Sequence, residues 1–158
     1  MFWNSPLLPK MMKLSHIGIA VADLKKAEDV FRRILGDDHF HYETVADQGV
    51  RIASTEIGES RLELTEPTNP ESPIAKYLAK RGEGMHHFAI EVDDIVSELA
   101  RMKREGFELI DEKPRIGSHN MLIAFLHPKS TGGVLIELCQ KAGEHHPPAP
   151  SSSRGGGA

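Results

Sequence analysis

Two histidines and two glutamates stand at matched places in this sequence of 158 residues. His16 opens the run His16-Ile17-Gly18-Ile19-Ala20-Val21, and His87 opens His87-Phe88-Ala89-Ile90-Glu91-Val92. An aspartate follows each run two residues later, Asp23 in one case and Asp94 in the other. Each histidine is answered further on by an apolar stretch with one central carboxylate, Arg61-Leu62-Glu63-Leu64 and Leu135-Ile136-Glu137-Leu138. From His16 to Glu63 is 47 positions, and from His87 to Glu137 is 50. Two imidazoles and two carboxylates make a mixed nitrogen and oxygen donor set for one divalent cation. That set leaves two positions of an octahedron open and suits Co(II), Mn(II), Ni(II), Fe(II) or Mg(II) better than a thiolate-closed structural zinc site, with Zn(II) still compatible. A substrate oxygen would bind at the open positions. Singly each residue is ordinary, and the duplicated context is what carries the metal reading.

The elements that must position these groups follow from periodicity. Ser15 to Val21 alternates small or polar residues with large aliphatic ones, the mark of a strand with two different faces. His16 falls on the small-residue face, and Ile17, Ile19 and Val21 are left to pack on a helix. Asp23 can cap that helix, Leu24, Ala27, Val30, Phe31, Ile34 and Leu35 recur at helical spacing, and Gly36 ends it. Residues 40–45, 50–57 and 61–66 read as strands. The second half repeats the plan: a strand from Met85 to Val92, a helix from Asp94 to Glu105 with Ile95, Leu99 and Met102 inward, then strands over 107–110, 121–127 and 134–140. Ser72 can cap a short connecting helix with Pro73 at its first position, ended by Gly82. Internal repetition outweighs local propensity in setting the fold. The expectation is an α+β chain of two tandem βαβββ modules forming a curved mixed sheet around a metal-binding cleft. The expected boundaries are a flexible leader at 1–13, a single domain at 14–140 and a disordered tail at 141–158. Within the domain, module one is 14–66, the connector 67–84 and module two 85–140.

Apolar and charged fractions of 39% and 27% are those of a globular protein, and a net charge of -4 gives no reason to expect nucleic acid or an anionic membrane as partner. No apolar run approaches the roughly 20 residues that span a bilayer. Cys139 is the one cysteine, which excludes an intrachain disulfide and makes a reducing cytoplasm the default. It shares strand parity with Glu137 and reads first as a small buried apolar residue. His86 is expected on the opposite face of its strand from His87, in a structural role. His39 and His41 read as exposed. Lys129 to Gly133 has the composition of a phosphate loop without its spacing, and reads as a turn.

On these residues the chain resembles the vicinal oxygen chelate superfamily and, within it, the methylmalonyl-CoA epimerases. The likeness runs from about Leu14 to Gln140. It rests on the His16–Val21 run, Asp47-Gln48-Gly49-Val50, Ser72-Pro73-Ile74-Ala75-Lys76, Gly82 to His87, Asp111 to Arg115, and Phe125 to Leu138. The resemblance implies metal ligands His16, Glu63, His87 and Glu137, Co(II) as the first candidate ion, an acyl-CoA substrate and a homodimer. It implies epimerisation of (R)- and (S)-methylmalonyl-CoA by proton abstraction at C2 through a metal-stabilised enolate. Two departures stand out. Glu63 occupies a place often held by glutamine, and Ile52 stands where some epimerases carry a carboxylate base. Glu137 and Glu63 are therefore the expected catalytic pair, with Glu43 a weaker candidate. Lys76, Arg115 and Lys129 are the candidate partners of the CoA phosphates, and Ser118 and His119 of the acyl head. Two rivals share the fold: a glyoxalase I-type lactoylglutathione lyase, and a non-enzymatic small-molecule binder.

Overall fold

The computed structural model describes residues 12–143. The expected tail falls almost wholly outside that range, as does most of the leader, so those expectations lie outside the described residues. The strands are β1 (Lys13–Ala20), β2 (His41–Val45), β3 (Val50–Ile57), β4 (Ser60–Pro67), β5 (Gly84–Glu91), β6 (Arg115–Ile116), β7 (Met121–Leu126) and β8 (Ile136–Lys141). The helices are α1 (Leu24–Leu35), α2 (Pro73–Arg81) and α3 (Ile95–Arg104). No helix among the described residues is long and apolar enough to cross a membrane.

Local chemistry explains where the helices begin and end. The Asp23 carboxylate accepts from the Lys26 N–H at 3.1 Å, and Asp94 accepts from Ser97 at the same distance. Ser72 Oγ accepts from Ile74 at 3.2 Å, with Pro73 in the first turn. Gly36 closes α1 in the left-handed region at φ 65 and donates to the Arg32 carbonyl.

All eight strands form one mixed sheet in the order β2-β3-β4-β1-β5-β8-β7-β6. Within each half the first strand pairs parallel with the last, β1 with β4 and β5 with β8. The halves meet where β1 and β5 run antiparallel. The order therefore reads the same from either end, as a duplicated βαβββ unit requires. The sheet is curled: the His119 N–H, just before β7, donates to Glu43 Oε2 on β2 at 2.9 Å, although these strands lie near opposite ends of the sheet. Helices α1 and α3 cover the convex side. Ile95 and Leu99 of α3 pack with Val92, Ala124 and Leu138, and Leu24, Ala27 and Phe31 of α1 pack on Val21, Ala53, Leu62 and Leu64. Fully buried residues such as Leu64 and Ile95 contribute about 1.5–3 kcal/mol each relative to exposure.

Three expectations change. No strand forms over 107–110. Leu109 makes a single bridge to Leu126, and the edge strand is the two-residue β6 instead. The Asp111 side chain accepts from the Phe125 N–H at 2.9 Å, taking a donor that a neighbouring strand carbonyl would use. Val30 and Ile34 of α1 are exposed, at 42% and 67%, so the apolar stripe of that helix is wider than the face it buries. His86 does not stand on the far face of its strand, as described below.

Candidate metal centre and acyl cavity

The two repeats bring their first strands together at the middle of the sheet, which sets His16 beside His87. Their Nε2 atoms are 3.2 Å apart. Parallel pairing then carries β4 and β8 alongside, with Glu63 opposite Gly18 and Glu137 opposite Ala89. Glu137 Oε2 lies 2.7 Å from His16 Nε2 and 3.4 Å from His87 Nε2. Glu63 Oε2 lies 3.5 Å from His16 Nε2. Ligand atoms of His16, Glu63 and His87 all fall within 4.8 Å of one another. The structure thus brings the four predicted ligands together from four strands. Gly18 makes this possible, because a Cβ there would stand 2.2 Å from Cε1 of the His87 ring.

These residues fit a divalent cation on chemical grounds. His16, Glu63 and Glu137 are 3%, 2% and 4% exposed, burial that an uncompensated carboxylate pays for heavily. Glu137 Oε2 has no hydrogen-bond partner, although an imidazole nitrogen is in reach. Metal bonds of about 2.1 Å put adjacent ligand atoms about 3 Å apart, and the donor atoms nearest one another here are separated by 2.7, 3.2, 3.4 and 3.5 Å. Burial alone would raise the Glu137 carboxyl, but the His16 and His87 rings facing it hold it down at about 2. Burial opposes protonation of His16, and the Glu137 and Glu63 carboxylates outweigh that and raise it.

Around the four donors lies a cavity of about 170 Å³ with an apolar wall that includes Val50, Ile52, Ile74 and Phe125. Ile52 thus stands at the cavity where the resemblance would have a carboxylate. Gln48 Nε2 and Thr65 Oγ1, on residues that line the cavity, are buried without hydrogen-bond partners. Both escaped the sequence reading. Gln48 sits inside the quoted Asp47–Val50 motif, and Thr65 shares strand parity with Glu63; these were the available signals. Arg115 and Ser118 line the cavity, and Arg115 is tied to Asp111 at 3.1 Å. His119 lies outside the lining and instead reaches Glu63, with Nδ1 3.5 Å from Oε1, beside Arg61 at 3.4 Å. Burial and the nearby Arg61 charge lower His119 despite Glu63 and Glu43. Lys129 lines a neighbouring groove with Arg81, and that groove shares His86, His87 and Leu135 with the cavity. Lys76 is exposed on α2 and lines neither space.

His86 lines the cavity, and its Nδ1 is 3.0 Å from His87 Nδ1. Burial, with the His87 ring adding to it, pushes it down to about 4. Cys139 is fully buried among Ala89, Met121 and Ile123, and burial pushes its thiol up to about 12.

A curled sheet of two βαβββ units with a paired His/Glu cluster at its centre is the architecture of one class. The chain belongs to the Glyoxalase/Bleomycin resistance protein/Dioxygenase superfamily, which it matches over residues 15–125. Within that class its relatives include the mitochondrial methylmalonyl-CoA epimerase of Homo sapiens, 39% identical over 81% of this chain and 73% of the relative. The methylmalonyl-CoA epimerase of Mycobacterium tuberculosis superimposes with a TM-score of 0.80 at 38% identity, covering 87% of this chain and 93% of that one. A variant of the Streptomyces coelicolor methylmalonyl-CoA epimerase, in complex with 2-nitronate-propionyl-CoA, gives 0.77 at 38% identity over 85% and 98% of the two chains.

Proposed function

We propose that this chain interconverts (R)- and (S)-methylmalonyl-CoA at a divalent metal centre held by His16, Glu63, His87 and Glu137, with Co(II) the first candidate ion. The observation that carries the reading is the convergence of these four donors in a small, mostly apolar cavity. Relatives at this identity that are methylmalonyl-CoA epimerases support it. At about 170 Å³ the cavity falls below the roughly 300–1,000 Å³ that encloses a drug-sized ligand. A short acyl head fits, and the CoA arm must leave it. The neighbouring groove, with Arg81 and Lys129 at its side, offers the exit. A homodimer acting in the cytoplasm belongs to the same reading and rests on the resemblance and the lone cysteine.

Inversion at C2 requires a proton to leave one face of the carbon and another to arrive on the opposite face. A divalent ion at the centre would supply charge stabilisation at the thioester oxygen worth several kcal/mol. The chain supplies the rest. Glu137 takes the proton on one side, as a carboxylate that the facing His16 and His87 rings keep ionised. Ile52 offers no base on the other, so Glu63 is assigned there, with Arg61 and His119 at its Oε1 to steady it. Gln48 and Thr65 hold the acyl oxygens through their unpartnered atoms. The apolar wall keeps water from the carbanionic carbon.

The test is deuterium entry at C2 when the cobalt-loaded protein meets each epimer in heavy water. Exchange and epimerisation of both are expected. Absence of both with methylmalonyl-CoA, alongside turnover of a glutathione hemithioacetal, would replace this reading with the lyase.

A further inference from the structure

Successive side chains on a strand point to opposite faces, so Ser15 and His86 should face away from the histidines that follow them. Both do the reverse. Ser15 Oγ is 3.1 Å from Nδ1 of His16, and His86 Nδ1 is 3.0 Å from Nδ1 of His87. The pairing of β1 with β5 shows why. Leu14 pairs with Ile90 and His16 with Ala89, so Ser15 is an extra residue on β1. Gly18 pairs with His87 and Ile19 with Met85, so His86 is an extra residue on β5. An inserted residue bends its strand and re-aims its side chain. Ser15 and His86 occupy the same place in the two repeats, each directly before its histidine.

We propose that these two bulges supply the outer partners of the metal-binding imidazoles, Ser15 for His16 and His86 for His87, and that both are positioning residues. The proposal rests on the metal centre described above. In each ring Nε2 faces the cluster, and a nitrogen that binds a cation carries no proton. The proton must then sit on Nδ1, which donates to Ser15 Oγ in one half and to His86 Nδ1 in the other. Outer donors of this kind fix the tautomer and orientation of ligating histidines. His86 is itself held: the Tyr77 ring packs edge-on against it at 4.8 Å between centroids, and the Tyr77 hydroxyl donates to the Met85 carbonyl at 2.8 Å. Both partners are uncharged, so the two glutamates remain the negative charges facing the cation. In this reading His86 is built into the metal centre, although it touches no metal.

The test is Co(II) binding by chelator competition, with the visible absorption bands of the bound ion, on wild type, His86→Ala, His86→Asn and Ser15→Ala, all without substrate. His86→Ala is expected to weaken Co(II) by about 10–100-fold and to shift the bands. His86→Asn, whose amide oxygen replaces the Nδ1 acceptor, is expected to restore both. Ser15→Ala should shift the bands in the same sense, and it keeps the proposal testable should His86→Ala fail to fold. Unchanged affinity and bands in His86→Ala and Ser15→Ala would overturn the proposal while leaving the metal centre standing. A wild-type protein that binds no Co(II) would overturn both. Tight Co(II) binding by a protein without epimerase activity would sink the proposed function alone.

Discussion

At the scale of single residues, the proposed centre depends on what surrounds its four candidate donors as much as on the donors. The His87 ring lies where a Gly18 side chain would be. Gly18→Ala must push that ring aside, so Co(II) affinity is expected to fall about 10–100-fold, as when a ligand loses its support. The melting curve of the metal-free protein should move little, and calorimetric titration beside a thermal scan checks both. Glu63→Gln keeps the shape and removes the charge. If Glu63 serves one face of C2, deuterium entry should drop for one epimer more than for the other, and undiminished exchange from both would remove it as a base. Cys139 carries a prediction of opposite kind. Its thiol is raised from 9.0 to about 12, so the native state holds a proton that the unfolded chain releases. Stability from this group is present below pH 9.0 and lost as pH rises toward about 12. At pH 8 the native protein should not react with a thiol reagent, and full reaction should follow denaturation.

At the scale of elements, helix α2 joins stability to the cavity. Ser72 caps it from a buried position, and Ile74 in its first turn forms part of the cavity wall. Ser72→Ala is expected to cost about 1 kcal/mol in denaturant unfolding and to raise KM more than it lowers kcat, since the wall loosens while the four donors stay. Strand parity served well for His16 and His87 and poorly for His86, because parity holds only while the register does. Nothing in the composition around Ser15 or His86 announces an inserted residue, which exists only in the pairing of two strands. The strand expected over 107–110 failed for a related reason: its apolar residues suited a strand, but the Asp111 side chain took the backbone donor that pairing needed.

At the scale of the molecule, each half contributes one histidine and one glutamate, so a bound ion would tie the two repeats together. A ligand that binds only the folded state at 100 times its Kd stabilises by about 2.7 kcal/mol. Thermal melts should therefore rise on adding Co(II) and fall back with a chelator. His16→Ala and Glu137→Gln should each abolish most of that rise. A protein whose melting temperature ignores Co(II) would leave the four donors without a cation to hold.

The amino-acid sequence by itself determined the duplicated βαβββ plan, the four candidate donors and the caps that start the helices. Each of these is written in periodicity or in residue type at fixed spacing, and each acts locally. Only the tertiary structure decided that Gln48 faces the cavity, that Lys76 stands apart and that His86 turns inward. Those facts depend on how strands distant in the chain register against one another. A single inserted residue in a ladder moves a side chain from one face of the sheet to the other without leaving a mark in the local pattern.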